Sequence, residues 1–245
     1  APDPAQKGRW SLQIDYRDSI KTIHAIPKID MGLMLDGADF SEGLRLIGVT
    51  NPVLVNEEYT MPHGKKLLRK NSANEIVVSF ENSRKQKLRV KVRAYNDGVA
   101  FRYELPGKKD SFIVKDELTA YTIAPETMRW MQKWNPANEG LYAGMSREKV
   151  RQDEWCYPAL FSTSDSACWF LLHESDVNSN YCGSKLKNVD EKSTYKITFP
   201  NPGDGRGKGE SQPTIMLPWQ SPWRVIVMGT LADIVSSTLV DDVAA

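Results

Sequence analysis

The stretch from Leu88 to Leu105 limits the possible folds more than any other part of this chain. Leu88, Val90 and Val92 alternate with Arg89, Lys91 and Arg93; after Tyr95-Asn96-Asp97-Gly98, a second run from Val99 to Leu105 carries β-branched and aromatic residues. A period of two marks a half-buried strand, and such side chains fit a pleated surface. Asp97-Gly98 supplies the positive φ angles of a tight turn, so the two runs are expected to pair as a hairpin. Similar segments recur at Trp10 to Tyr16, Ile20 to Ile26, Ile29 to Leu35, Leu44 to Val49 and Glu75 to Phe80, with Gly, Pro, Asn or Asp between them.

Later strands are expected at Leu118 to Ile123, Met128 to Met131, Tyr157 to Ser162, Cys168 to His173, Thr194 to Phe199, Thr214 to Leu217 and Trp223 to Met228. Strands so spaced, without long helical patterns between them, argue for an all-β sandwich or barrel. Helix is confined to Leu231 to Val240, with Thr230 as N-cap and Asp233 as the acid of a capping box. Residues 1–9 read as a loose lead-in and residues 10–245 as one β-domain, since sandwiches reach this length as single units. The Gly-rich run Asn201 to Gly209 reads as a surface loop, with no strand feeding it and no helix opening after it as a phosphate loop requires.

Basic and acidic side chains number 32 and 31, a net charge of +1 that creates no global field for nucleic acid or an anionic membrane. The basic residues between Arg84 and Arg93 read as the wet face of a strand. No stretch approaches the roughly 20 apolar residues of a membrane span. The chain starts at Ala1 without a basic and then apolar leader, the pattern of a mature or trimmed polypeptide compatible with export. Three cysteines, Cys156, Cys168 and Cys182, cannot all pair within the chain; one disulfide or three buried thiols are the alternatives.

Acid–base hydrolysis is one chemistry that a pair of opposed carboxyl groups could carry. Glu57 and Glu58 are adjacent in a strand-like stretch and point to opposite faces, which makes a poor pair. Glu139, Asp153 and Glu154 lie among Trp130, Trp134, Tyr142, Trp155 and Tyr157, a mixture that suits either a sugar surface or core and interface anchors. In Trp169 to Val177 an apolar run ends in His173-Glu174-Ser175-Asp176. Carboxylates at a strand exit are either solvated ends or part of a calcium shell, which takes about 6 to 8 oxygens.

The run Arg93-Ala94-Tyr95-Asn96-Asp97-Gly98-Val99-Ala100-Phe101-Arg102-Tyr103, with Asn74 to Phe80 before it, resembles the N-terminal domain of glycoside hydrolase family 97. Met31-Gly32-Leu33, Leu171 to Asp176 and Pro222-Trp223-Arg224-Val225-Ile226 agree in order and spacing. The resemblance implies a β-super-sandwich of the mutarotase-like carbohydrate-binding type, with at most short helices. It implies as partner a catalytic (β/α)₈ barrel of the same polypeptide, which would lie beyond these residues and leave this chain inactive alone. Family members are α-glucosidases that invert or α-galactosidases that retain configuration, commonly exported to the periplasm by gut Bacteroidetes. Their active-site calcium is held by barrel glutamates and by one glutamate from the N-terminal domain, which Glu174 matches here. The expected function is therefore a secreted, carbohydrate-facing domain that buttresses a glycosidase barrel and donates Glu174 to calcium. A free-standing carbohydrate-binding module is the alternative.

Overall fold

A computed structural model describes residues 2–3, 8–17, 21–146, 153–188, 193–207 and 210–244. The chain forms β1 (Pro2–Asp3), β2 (Arg9–Arg17), β3 (Thr22–Asp30), β4 (Leu33–Leu35), β5 (Arg45–Val49), β6 (Val53–Thr60), β7 (Leu68–Glu81), β8 (Lys87–Tyr95) and β9 (Gly98–Leu105). Shorter strands follow: β10 (Ser111–Glu117), β11 (Ala120–Thr122), β12 (Met128–Met131), β13 (Ala143–Met145), β14 (Glu154–Trp155) and β15 (Ala159–Ser162). The last third holds β16 (Trp169–Ser175), β17 (Lys185–Asn188), β18 (Thr194–Thr198), β19 (Thr214–Met216), β20 (Trp219–Gln220) and β21 (Trp223–Gly229), then α1 (Leu231–Ser236) and α2 (Leu239–Asp242). The fold is all-β, as the alternation required, and every strand pair is antiparallel.

An 11-stranded sheet runs β13-β12-β15-β16-β21-β9-β8-β7-β5, with β20 on β9 and β6 on β7; a 7-stranded sheet, β1-β2-β3-β11-β18-β17-β14, faces it. A third sheet of β19, β10 and β4 has 3 strands. The facing sides interlock: Trp10 of the smaller sheet stacks on Phe80 of the larger at 4.3 Å, and Phe161 meets Tyr195 edge-on at 5.7 Å. Ile26, Ile29, Leu88, Val90, Phe101, Phe170, Leu172 and Ile226 fill the same dry interior. Burying one such side chain contributes roughly 1.5–3 kcal/mol, so this layer supplies the main driving force.

The outer face of the large sheet is covered by the two helices, whose Ile234, Leu239 and Val243 pack on Ala100, Trp223, Val225 and Val227. Thr230 and Asp233 form the expected capping box, but the helical segment is two short helices rather than one, because Ser237 is extended with ψ 144°.

The hairpin forms with Tyr95 opposite Gly98, and of the positive φ angles expected at Asp97-Gly98 only that of Gly98, at 158°, is present. Asn96 and Asp97 keep negative φ, and Gly98 is required for close approach: a Cβ there would stand 2.2 Å from the Ile226 carbonyl oxygen. Strand β3 runs through Pro27, where two segments were expected. Its pairing with β2 shifts register near Ile14 and Ile26, and β11 pairs only from Lys28 onward, so no ladder bond is demanded of the Pro27 nitrogen. Within the lead-in, Pro2–Asp3 pairs with Arg9–Trp10. Residues 4–7 lie outside the described set. No helix among the described residues is long and apolar enough to cross a membrane.

Candidate functional site at the end of the sandwich

Strand β16 brings Phe170 and Leu172 to the interior, and the same alternation turns Glu174 to that side at the strand's end. Opposite it in the ladder stands Arg224 of β21. Here the interior changes from apolar to ionic. Arg224 is wholly buried, with Nε 2.9 Å from Glu117 Oε1 and Nη2 2.6 Å from Glu117 Oε2, a two-pronged pair. Its remaining arm, Nη1, donates to Glu174 Oε2 at 2.7 Å and to Ser184 Oγ at 3.3 Å. Burial pulls the pKa of this guanidinium down, but the charge and hydrogen bonds of Glu117, backed by Glu174, outweigh it and raise the pKa well above the ordinary arginine value.

The two carboxylates differ in what they leave free. An ionised carboxylate accepts at about four positions. Glu117 fills them with Arg224 twice, the Thr119 hydroxyl at 2.9 Å and the Tyr181 hydroxyl at 3.0 Å, and its side chain is 0% exposed. Tyr103 extends the network, sharing a hydrogen bond with Thr119 and accepting from the Gly32 amide. Burial, with the Glu117 charge beside them, pushes the Tyr103 and Tyr181 hydroxyls above the usual tyrosine pKa, so both remain neutral partners. Glu174 accepts from the Ser184 amide at Oε1 and from Ser184 Oγ and Arg224 at Oε2, which leaves an acceptor position on Oε1. Its side chain is 11% exposed.

Glu174 is therefore a braced carboxylate, not a solvated strand end. Asp176 does not join it: the chain leaves the strand through Asp176 at φ 59°, and its carboxylate takes Arg102, which lies against the Trp223 ring on the outer face. His173 also turns aside, its Nδ1 accepting from the Glu174 amide, and burial lowers its pKa. Among the described residues no group of three or more His, Cys, Asp or Glu gathers as a metal cage. As a hard oxygen donor with a free acceptor position, Glu174 fits one place in a calcium shell, with all other ligands to come from elsewhere.

Ser184 and Gly183 also line a cleft of about 670 Å³. Its opposite wall is the Gly-rich segment, which is more than a surface loop: Asp204 reaches 3.0 Å to Lys185, a buried lysine that also pairs with Glu154 at 2.7 Å and lies over the Trp134 ring. The aromatic residues read as either a sugar surface or core and interface anchors take different places. Trp155 is core and donates to Asn188, Trp130 stacks on Trp169, Tyr157 stacks on His173, and Trp134 is the ring at the cleft. Of its acids, Glu139 is exposed, Asp153 pairs with Lys133 and Glu154 holds Lys185. Glu57 accepts from Asn71 on the β6–β7 ladder, while Glu58 faces solvent. The thiols of Cys156, Cys168 and Cys182 are free, and burial beside the charge of Glu174 lifts Cys182 to about 12.

Sequence reasoning missed Arg224, Glu117 and Ser184 as parts of the site. Arg224 carried a signal, being a lone charge within the apolar run of β21, where an unpaired cation would be prohibitive. Glu117 and Ser184 carried none.

Comparison with known proteins places the chain. A probable retaining alpha-galactosidase of Streptomyces bingchenggensis (strain BCW-1) is 31% identical over 264 aligned positions, covering 100% of this chain and 39% of the relative. A crystal structure of a beta-arabinopyranosidase superposes with a TM-score of 0.84 at 28% identity, over 98% of this chain and 41% of that one. A family 97 enzyme from Pseudoalteromonas sp. strain K8, in complex with acarbose, shares the fold with a TM-score of 0.77 at 20% identity, over 97% of this chain and 35% of its own. The chain thus spans about two-fifths of the length of the first two relatives. Residues 4–245 match the model of the glycosyl-hydrolase 97 N-terminal domain, and the chain belongs to that family.

Proposed function

We propose that this chain is the barrel-facing N-terminal domain of an exported α-glycosidase, and that it donates Glu174 to an active-site calcium shared with the catalytic barrel. The observation that carries the reading is the unequal treatment of two carboxylates on one arginine. Glu117 is sealed and saturated, whereas Glu174 is fixed by three hydrogen bonds and retains an acceptor position at the end of the sandwich. Calcium at such a place would supply Lewis acidity and a template for sugar hydroxyls. This chain's own contribution is to hold one oxygen donor rigidly and to wall the site. The acid and base of hydrolysis would belong to the barrel.

The substrate class we propose is an α-galactoside, with α-glucosides as the alternative. The 31% identical relative is named a probable retaining alpha-galactosidase, whereas the acarbose-bound enzyme is only 20% identical. Export to the periplasm or beyond belongs to the same reading. The test uses the full-length protein with chromogenic α-galactoside and α-glucoside, with and without a calcium chelator, alongside Glu174→Ala. Loss of a first ligand should cost at least as much as loss of an outer partner, about 100-fold in calcium affinity or hydrolysis. Unchanged calcium affinity in Glu174→Ala would remove the metal role.

A further inference from the structure

We propose that Glu117, which lies behind Arg224 and away from any rim, is a positioning residue that leaves the negative charge of Glu174 uncancelled for a cation. The inference rests on the reading of Glu174 as a calcium ligand and goes beyond it.

Charge within a dry site is what Glu117 controls. Arg224 and Glu117 are 0% exposed and Glu174 is 11% exposed, so solvent screens their interactions little. Counted formally, two carboxylates and one guanidinium leave a net charge of −1. The geometry divides it unequally. Arg224 gives Glu117 two short hydrogen bonds through its Nε and Nη2 face and gives Glu174 one through Nη1. The guanidinium is thus largely neutralised from behind, and Glu174 is braced by it without being consumed by it. Without the Glu117 charge, the same guanidinium 2.7 Å from Oε2 would cancel Glu174 and repel an incoming cation. Thr119 and Tyr181 hold Glu117 in the orientation that keeps both prongs engaged.

The experiment measures calcium affinity by titration calorimetry on the full-length protein, and the thermal midpoint without calcium as a control for folding. Glu117→Gln keeps the shape and removes the charge; it should weaken calcium by about tenfold or more while the calcium-free protein still unfolds cooperatively. Glu117→Asp keeps the charge and should stay within about threefold of the parent, even if its midpoint falls. Glu174→Gln is measured alongside. If it weakens calcium and Glu117→Gln does not, this inference fails and the ligand assignment stands; if Glu174→Gln has no effect, both fail. Should Glu117→Gln not fold, Glu117→Asp decides, and a tenfold loss there would show that geometry rather than charge is transmitted.

Discussion

Two buried cations, each flanked by two carboxylates, meet at the Ser184–Lys185 segment, where Arg224 reaches Ser184 and Lys185 is its chain neighbour, and they serve opposite ends. Arg224 holds Glu117 and Glu174, all on strands or at their ends, through a planar fork that fixes direction. Lys185 holds Glu154 and Asp204 through a single ammonium group, and one of its partners opens the short 3-10 turn Asp204–Gly207 rather than a strand. The exposures follow the same division: 0% and 11% for the arginine's carboxylates, 19% and 17% for the lysine's. The arginine cluster therefore orients a carboxylate, whereas the lysine cluster tethers the wall of a cleft.

The largest expected effect comes from Arg224→Met. Removing one partner of a buried ionic group leaves carboxylates uncompensated, and stability should fall by about 3–5 kcal/mol in urea unfolding. A loss under about 1 kcal/mol would show that water relieves Glu117 and that the site is wetter than its burial implies. Lys185→Met should cost less, about 1–3 kcal/mol, because Glu154 and Asp204 can turn to solvent. Its effect should concentrate in amide exchange of residues 201–207; equal losses in the two variants would erase the difference between the two clusters.

Acid should separate the clusters further. The Asn201 amide, and then Lys185, hold the Asp204 carboxyl below its ordinary pKa. A depressed folded-state pKa contributes stability that is complete above the unfolded value, about 3.9, and is lost as pH falls through the lower folded value. Exchange protection around residues 201–204 should therefore weaken in that window, and Asp204→Asn should abolish the pH dependence. The smallest effect expected is that of Thr230→Val, which removes the side-chain cap of α1 at a cost of about 1 kcal/mol. As a surface reference, it calibrates both buried clusters in the same urea experiment.

Much of the strand framework was legible because its signals are local. Met128–Met131 was read to the residue, the Lys87–Tyr95 and Gly98–Leu105 hairpin to within one, and the Thr230–Asp233 cap by its two side chains. Strands β6, β10 and β17 were not delimited, since β6 is mostly exposed and β10 and β17 mix charged with apolar residues. At the site, Glu174 was singled out through motif resemblance; Arg224 stood out only as a lone charge in an apolar run, and the pairing that makes it a brace was invisible. Glu117 and Arg224 lie 107 residues apart, and no period or spacing joins them.

The amino-acid order alone determined which segments extend, where the hairpin turns and where the short helix is capped, because alternation and capping act over a few neighbouring residues. Only the tertiary structure decided that Glu117 is sealed, that Glu174 retains an acceptor position and that Asp176 turns to the outer face. Those outcomes depend on which distant strands the ladder sets side by side, and a one-residue change of register would have sent each of these charges to the other side of its sheet.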